Sequence, residues 1–473
     1  MIQRAQVRLH TGSSQVVNLT EGTIWKQLIR FALPLLFSNF LQQLYSTADL
    51  MIVGQFASSE SMAAVGSTGS LTSLIVNFFV GLGTGSSVVI SQYYGAQNHK
   101  MVSKSVHTSI MLSICSGVII TVLGLVFAPI LLAWMDTPAD IINEADTYLT
   151  IIFTGILPTM IYNMGSGILR AVGDSRRPLY YLMFGAGLNI GLDILFVGVF
   201  GWGVSGAAIA TVISQIGAMT LTLLNLFRAD ASYRLTFRGL GMDWTCLKQI
   251  ICIGVPTGLQ SIMFSISNVV IQANINSFGS IAVAGLAAAS RVDGFIFIFI
   301  QAFSLAIMTF VGQNIGAGRY DRVRASVRVC VAMAAGSTAV VGGIMYLLGP
   351  YILRSFNDNP DVVAFGMKMV TTMAASYWVF AMSEVLNNSM RGAGYSTVPM
   401  IVSLTFICGL RLLWMAVMLP VWHDILVVIL SYPVSWGVTF LVTTVLYLTK
   451  PWLRQYIKKH PDQELVGYPP AKK

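Results

Sequence analysis

The stretch QYYGAQNHKMVSKSV at residues 92–106 returns as QNIGAGRYDRVRASV at residues 313–327, a constant 221 residues later. Both copies hold Gln, Gly-Ala, Val and Ser-Val at the same places, and each lies between long uncharged segments. A second pair keeps the same separation, LRAVGDSRRP at residues 169–178 and MRGAGYSTVP at residues 390–399. The chain is therefore two copies of one unit, and a duplicated membrane bundle leaves a cleft between its halves.

Composition identifies lipid as the solvent of this chain. Of 473 residues, 55% are apolar and only 10% are charged, whereas charged residues make up about 25% of ordinary soluble domains. In lipid only helices or closed barrels satisfy every backbone polar group, and a membrane helix needs about 20 mainly apolar residues. The long apolar runs do not alternate with a period of two. They predict an all-α integral membrane protein with twelve transmembrane helices in two homologous six-helix bundles, V-shaped around a central cleft.

The predicted helices cover residues 27–54, 62–90, 105–132, 147–168, 179–200, 204–227, 249–275, 282–312, 328–353, 362–387, 398–419 and 425–449. The expected domains are a cytoplasmic arm at 1–26, an N-terminal lobe at 27–227, a cytoplasmic linker at 228–248, a C-terminal lobe at 249–449 and a cytoplasmic tail at 450–473. An even number of helices per lobe returns the linker to the starting side, which makes the two lobes parallel repeats.

Basic residues are distributed unevenly over the predicted loops. Counted from a cytoplasmic start, all but four of the 28 Lys and Arg residues fall on one side; the exceptions are Arg291, Arg354, Lys368 and Arg411. Short cytoplasmic loops collect Lys and Arg, and one missed or extra helix would destroy this asymmetry. Both termini are therefore expected in the cytoplasm. The net charge of +9 is dispersed along the chain, which argues against nucleic acid as a partner.

Motifs of enzymes are absent from the sequence. It contains no HExxH, GxSxG or GxxxxGK[ST] pattern, its five His are scattered, and its five Cys show no CxxC spacing. We therefore expect no enzymatic activity, no organic cofactor and no metal site beyond a Na⁺ ion at a coupling site. Because an ATP-binding loop is missing, any transport is expected to be driven by an ion gradient or an outside partner.

Carboxylates inside predicted membrane helices need an explanation, since each costs at least about 2.5 kcal/mol to insert. Asn189 and Asp193 have an i, i+4 spacing, which places both on one face of the fifth helix. Asp49 and Thr211 are predicted at a similar depth on the first and sixth helices. Together these four residues suit a small monovalent cation or a carboxyl pair that shares a proton. The alternative is that each carboxylate only hydrogen-bonds a neighbouring helix.

Three further ionisable residues and one proline are candidates with a weaker rationale. Asp293 lies near the predicted outer surface, either as a solvated helix end or in a substrate cavity. Glu384 and Arg411 either line that cavity or form a structural ion pair. Pro34 interrupts the first helix and is expected to act as a hinge or a static kink, because proline removes one helical hydrogen bond.

The motifs at residues 92–96, 169–178 and 189–211, with their second copies, closely resemble those of the multidrug and toxic compound extrusion (MATE) family. The resemblance spans residues 25–450 and is closest to the DinF-type branch. It implies that Asp49, Asn189, Asp193 and Thr211 bind Na⁺ or H⁺, and that Pro34 is a hinge. The NorM-type branch has a Glu on its seventh helix where this chain has Phe264, which argues against a Na⁺ site in the C-terminal lobe.

The resemblance implies a secondary antiporter of the bacterial plasma membrane. It would export amphipathic, often cationic, organic compounds in exchange for H⁺ or Na⁺, in contact with the lipid bilayer, and we expect a monomer. One alternative is a lipid-linked oligosaccharide flippase, which would need several cationic residues in the cavity to hold a pyrophosphate, and only Arg411 is available. A second alternative, an intramembrane enzyme, lacks a nucleophile with its base and a metal cluster.

Overall fold

The computed structural model describes residues 17–56, 59–134, 141–461 and 463–467. Its α-helices are α1 Ile24–Phe56, α2 Ser59–Gly95, α3 His99–Trp134, α4 Ile142–Thr154, α5 Ile156–Ala171, α6 Arg176–Asp193, α7 Gly203–Arg228, α8 Trp244–Asn276, α9 Ser280–Gly316, α10 Tyr320–Phe356, α11 Pro360–Ala374, α12 Tyr377–Gly392, α13 Thr397–Val402, α14 Leu410–Val421, α15 Ile425–Thr449 and α16 Pro451–Lys459. Two π-helical segments, Ile194–Val199 and Ser403–Gly409, continue α6 and join α13 to α14.

Every predicted membrane crossing corresponds to helical structure in the described ranges. Eight crossings are long and apolar enough individually, and two bent pairs, α4–α5 at 46° and α11–α12 at 49°, each supply one more. α1 and α2, with 33 and 37 residues, complete the twelve, because about 20 residues suffice to span a bilayer. The predicted all-α architecture of twelve helices in two bundles is confirmed. The two bends were not predicted.

Both ends of the described chain lie on one side of the molecule, which we call the terminal face. The backbone N–H of Val17 donates to the carbonyl of Gly173 at 3.0 Å, beside the turn between α5 and α6. The carbonyl of Val466 accepts from the N–H of Asp321 at 2.9 Å, and its N–H donates to Gly318 at 2.8 Å. Each end of the chain is therefore fastened to an inter-helix turn on this face.

The linker between α7 and α8 also lies on the terminal face. Its Asp243 forms an ion pair of 2.6 Å with Lys104 on α3. The Asp243 carboxylate also caps α8 by accepting from the N–H of Cys246 at 3.1 Å. The Lys104 hydrogen bond, followed by this backbone bond, lowers the pKa of Asp243 to about 2. Asp243 therefore ties the linker to the N-terminal lobe and caps α8, the first helix of the C-terminal lobe.

The N-terminal segment is held by a buried arginine of the other lobe. Arg322 on α10 is only 9% exposed, and its guanidinium donates to oxygens of five residues at 2.9–3.2 Å: Leu19, Glu21, Gly22, Gln27 and Asn314. Hydrogen bonds from a charged donor are about twice as strong as neutral ones. The start of α1 is thereby fixed to the C-terminal lobe.

Glycines bring α2 of the first lobe directly against α8 of the second. A Cβ added to Gly81 would lie 2.4 Å from the backbone N of Gly258, and one on Gly85 would lie 2.4 Å from the carbonyl of Ile250. Small residues permit such close backbone approach in membranes. Gly81 and Gly85 thus allow backbone-to-backbone packing of the two lobes. At residues 187 and 191 of α6, in contrast, an added Cβ would meet nothing within 4 Å.

The two copies of the repeated motif meet where α2 and α9 cross at the terminal face. A Cβ on Gly95 would lie 1.9 Å from the carbonyl oxygen of Gln313, and one on Gly316 would lie 2.0 Å from that of Gln92. No side chain fits at either place while the helices cross in this way. We call this contact the motif crossing.

The motif glutamines link each lobe to the opposite one. Gln92 donates through Nε2 to the carbonyl of Gly392 at the end of α12, at 2.8 Å. Gln313 donates in the same manner to the carbonyl of Ala171 at the end of α5, at 2.7 Å. Helix ends leave carbonyls without intrahelical partners, and these side chains satisfy them across the lobe boundary. The terminal face is closed by two equivalent contacts.

The tail contains the short amphipathic helix α16, Pro451–Lys459. It buries Trp452, Leu453 and Tyr456, whereas Lys458 and Lys459 are exposed. The hydroxyl of Tyr456 donates to the carbonyl of Ile315 at 3.1 Å. The rest of the predicted tail from residue 468 and the arm at 1–16 lie outside the described residues.

Candidate functional site

The four residues predicted to form an ion site lie together inside the N-terminal lobe. Asp49 is near the end of α1 that points away from the terminal face. Asn189 and Asp193 are in the last turns of α6, and Thr211 is in the third turn of α7. Asn189 and Asp193 are fully buried, while Asp49 and Thr211 are half-buried. The cluster lies in the half of the membrane away from the terminal face.

An amide and two carboxyl groups form the centre of this cluster. With the amide oriented to suit both neighbours, Asn189 Nδ2 donates to Asp193 Oδ2 at 2.9 Å, and Asn189 Oδ1 accepts from the N–H of Thr211 at 3.3 Å. The carboxyl groups of Asp49 and Asp193 lie within hydrogen-bond reach of each other. Two adjacent carboxylates cannot both be charged cheaply in an apolar medium, so one proton or one small cation between them stabilises the pair.

Two tyrosines that sequence reasoning missed complete the cluster. The hydroxyl of Tyr45, one turn before Asp49 on α1, lies beside Thr211 and Ser214. Tyr148 on α4 lies beside Asp49 and Asp193. A gap of about 20 Å³ next to Tyr45 has room for one water molecule. The spacing of Tyr45 from Asp49, i and i+4, is a signal that places both on one face of α1.

Unpartnered oxygens show what the cluster can hold. One carboxyl oxygen each of Asp49 and Asp193 is buried without a hydrogen-bond partner among the described residues. Oxygens are the ligands that hard cations prefer, and they equally accept a proton. Among the described residues no group of three or more His, Cys, Asp and Glu could hold a metal ion. The free oxygens of the two carboxyl groups suit a proton or a small monovalent cation.

The second lobe has a different interior at the matching positions. Leu410 and Trp414 stand 221 residues after Asn189 and Asp193. The indole of Trp414 donates to the carbonyl of Val427 at 2.9 Å, which makes it part of the packing of α14 on α15. The ion cluster therefore occurs in one lobe.

A cavity of about 580 Å³ lies beside α1, mainly in the C-terminal lobe. It borders α1, α8, α9, α11 and α15 near the ends that point away from the terminal face. Its polar lining residues are mostly amides and hydroxyls: Asn39, Gln42, Gln43, Ser46, Asn268, Gln272, Ser290, Gln301 and Tyr432. Among the described residues no Lys or Arg lines it, and Asp293 is the only acidic residue that does.

The α1 side of this cavity is a polar stripe that sequence reasoning missed. Asn39, Gln42, Gln43 and Ser46 follow the spacing i, i+3, i+4 and i+7, which is one face of a helix. In an otherwise apolar membrane helix, such a polar face indicates a side that lines a cavity, and the sequence contained this signal.

Asp293 is not the solvated helix end that was one expectation for it. It is 9% exposed, and its carboxylate accepts a hydrogen bond from the hydroxyl of Tyr377 on α12. Tyr377 begins α12 directly after the bend. The tyrosine fixes the carboxylate at the wall of the cavity, which agrees with the other expectation, that of a cavity residue.

The expected ion pair between Glu384 and Arg411 is not formed. Arg411 stacks over the ring of Tyr432 at 4.0 Å and donates to the hydroxyl of Ser435 at 3.2 Å. Glu384 accepts from Nδ2 of Asn388 at 3.2 Å, in the next turn of its own helix. The pair was expected from opposite charge, and the sequence does not give the rotation of either helix. Neither residue lines the cavity.

Pro34 lies inside α1, which runs without a break from Ile24 to Phe56. The hydroxyl of Ser38 donates to its carbonyl at 2.9 Å. The hinge role of Pro34 stays a prediction.

Known proteins place the chain in a family. The MatE family model matches residues 34–195 and again 256–416, once in each lobe. A probable multidrug resistance protein of Bacillus subtilis (strain 168), YoeA, is 29% identical over 440 residues, which cover 89% of this chain and 93% of that protein. An FAD transporter of Shewanella oneidensis is 26% identical over 315 residues, or 65% of this chain and 68% of that protein.

A solved structure extends the similarity to the whole fold. It is described as the outward-facing conformation of a multidrug resistance MATE family transporter of the MOP superfamily. It superposes with a TM-score of 0.86 at 23% sequence identity, over 94% of this chain and 99% of that one. By its two family matches and its twelve-helix fold, the chain belongs to the MatE family, as a multi-pass membrane transporter and not an enzyme.

Proposed function

We propose that this transporter is an antiporter that exports amphipathic cationic compounds in exchange for H⁺ or Na⁺ bound at the Asp49–Asp193 cluster. The single observation that carries the proposal is the separation of two different sites. A carboxyl pair with buried, unpartnered oxygens lies in one lobe, and a large amide-lined cavity lies mainly in the other. α1 contributes residues to both, so the state of the ion cluster can influence the cavity.

The polarity of the cavity favours cationic or neutral substrates. In the part of the chain that the structure describes, Asp293 is the only acidic residue of its lining, and no basic side chain lines it. An anionic dinucleotide or a pyrophosphate would be desolvated there without a counter-charge, at considerable cost. This argues against the flippase alternative and against a substrate like that of the FAD transporter relative.

The test is uptake into proteoliposomes, with pH and Na⁺ gradients imposed separately and a panel of fluorescent cations. We expect one of the two gradients to drive accumulation. Accumulation that is independent of both the pH gradient and the Na⁺ gradient would contradict antiport. Transport of FAD in preference to the cations would contradict the substrate class. Neither result depends on knowing the natural substrate.

Orientation and assembly complete the proposal. The terminal face carries the basic loops, so it is placed on the cytoplasmic side of a bacterial plasma membrane, and the transporter works as a monomer without an organic cofactor. A cysteine substituted at Ser232 in the linker should resist an impermeant thiol reagent added outside intact cells, and one at Asn357 should react. Labelling of the first but not the second would reverse the orientation.

The substitution Asp293→Asn is expected to weaken binding of cationic substrates. It keeps the shape and the contact with Tyr377 but removes the only carboxylate of the cavity lining. Losing one buried charged contact should reduce affinity about ten-fold or more. Equilibrium binding of a fluorescent cation measures this, with Ser290→Ala as an uncharged change in the same cavity. Equal losses in both variants would remove Asp293 from cation recognition.

The substitution Pro34→Ala is expected to slow turnover several-fold while substrate binding is retained. Alanine restores a helical hydrogen bond and stiffens α1 between its two ends. A spin-label distance between the far ends of α1 and α6 should change with pH or Na⁺ in the wild type and much less in the variant. Pro256→Ala is the matched change in α8. If the distance between the far ends of α1 and α6 in the wild type did not change with pH or Na⁺, the hinge role of Pro34 would be refuted.

A further inference from the structure

A second large cavity lies on the terminal face, at the boundary between the two lobes. It has a volume of about 470 Å³ and borders α2, α8, α16 and the turn between α12 and α13. The hydroxyl of Tyr93 on α2 donates to Oε1 of Gln249 on α8 at 2.8 Å, and both residues line the cavity. We call it the terminal-face pocket. It is separate from the amide-lined cavity and from the ion cluster.

The charge of this pocket is positive and uncompensated. Lys248 and Lys459 line it and are both exposed, and no Asp or Glu of the described ranges is among its lining residues. Neither lysine forms an ion pair or a hydrogen bond within the described residues. Two free ammonium groups beside one cavity attract an anion. The pocket thus has the opposite charge preference from the amide-lined cavity.

The walls of the pocket and its position suit an amphiphile. Tyr395, Trp452 and Tyr456 supply aromatic surface beside the lysines. Only one residue separates the end of the membrane helix α15 from the start of α16, so the pocket lies at the level of the lipid head groups. An amphipathic helix with basic residues on its exposed side is typical of contact with anionic lipid.

We propose that the terminal-face pocket binds the phosphate head group of an anionic phospholipid, with Lys248 and Lys459 as its counter-charges. The head group would touch α2 of one lobe and α8 and α16 of the other. Gln92, which links the lobes at the motif crossing, lines the same pocket. Bound lipid therefore stabilises the closed arrangement of this face.

Cys252 provides a native reporter for occupancy. It lines the pocket and is exposed, whereas the other four cysteines are buried or half-buried. The protein is reconstituted in nanodiscs of phosphatidylcholine, with or without phosphatidylglycerol, and the rate of alkylation by a small neutral reagent is followed by mass spectrometry. We expect phosphatidylglycerol to slow alkylation, and each of Lys248→Gln and Lys459→Gln to reduce that protection about five-fold.

The matched control is Lys458→Gln, the same change at the neighbouring residue of α16, outside the pocket lining. Rates are compared with and without phosphatidylglycerol within each variant, because losing a lysine also alters the thiol itself. A cysteine placed at Lys458 in a Cys252→Ser background measures the general effect of an anionic surface. Equal loss of protection in Lys458→Gln, or equal slowing at position 458, would overturn the proposal.

A second arm distinguishes lipid from a free anion. Inorganic phosphate is added to the detergent-solubilised protein in place of lipid. Protection by phosphate shows that the head-group chemistry alone is sufficient, and protection by phosphatidylglycerol only shows that the lipid is required. Either outcome supports an anion site dependent on the two lysines. No protection by either would eliminate it.

Discussion

Asp193→Asn is expected to abolish ion-driven transport while leaving a folded protein that binds substrate. Asparagine keeps the shape of the side chain but can neither take up a proton nor neutralise a cation. A gradient drives a transporter only if the ion binds its conformations with different affinity. Asp49→Asn should have the same effect, because the two carboxyl groups act as one pair. Accumulation of a fluorescent cation in proteoliposomes under an imposed gradient measures both variants.

The matched control for these variants is Asp146→Asn. Asp146 is an acidic residue on α4 of the same lobe and takes no part in the cluster contacts. This control should transport like the wild type, and Asn268→Ala in the other lobe should affect transport only mildly. Wild-type accumulation in both Asp49→Asn and Asp193→Asn would show that the ion acts elsewhere.

Gly95→Ala is expected to prevent the terminal face from closing. The new methyl group would lie 1.9 Å from the carbonyl oxygen of Gln313, and backbone cannot move aside as a side chain can. Overpacking of this kind typically costs about 1–3 kcal/mol, which shifts an equilibrium about 5- to 150-fold toward the open arrangement. Transport that alternates between both faces should therefore slow by a similar factor.

A distance measurement tests this directly. Spin labels at Lys100→Cys and Arg324→Cys, on exposed positions of the two lobes, report the opening of the terminal face in a Cys252→Ser background. The control is Gly83→Ala on the same helix, where an added Cβ meets nothing within 4 Å. The same distance in all three proteins would show that the motif crossing does not set this equilibrium.

The sequence predicted the number of helices and the meeting of Asp49, Asn189, Asp193 and Thr211, because both depend on local or averaged signals. The ion-binding role of these residues stays a prediction. Helix count follows from apolar length and loop charge. The meeting of Asn189 with Asp193 follows from one helical turn, and their meeting with Asp49 and Thr211 from similar depth.

Features that depend on helix rotation or on distant contacts could not be predicted. Glu384 and Arg411 were paired by opposite charge, yet they face different neighbours. Tyr377 was one of many aromatic residues in apolar helices, and nothing local marks it as the partner of Asp293. Arg322 resembled an ordinary loop cation, because its five acceptors come from segments about 300 residues earlier and from its own lobe.

α1 is attached to both lobes, to the C-terminal lobe at its start and to the N-terminal lobe at its far end. Its first turn and the preceding segment are gripped by Arg322 of the C-terminal lobe, while its other end carries Asp49 against Asp193 of the N-terminal lobe. Any rotation of one lobe against the other must therefore be absorbed within this single helix or break one of its two anchors. Pro34 lies between the two anchors. A movement of one lobe relative to the other would therefore strain α1 and act on the carboxyl pair at its far end.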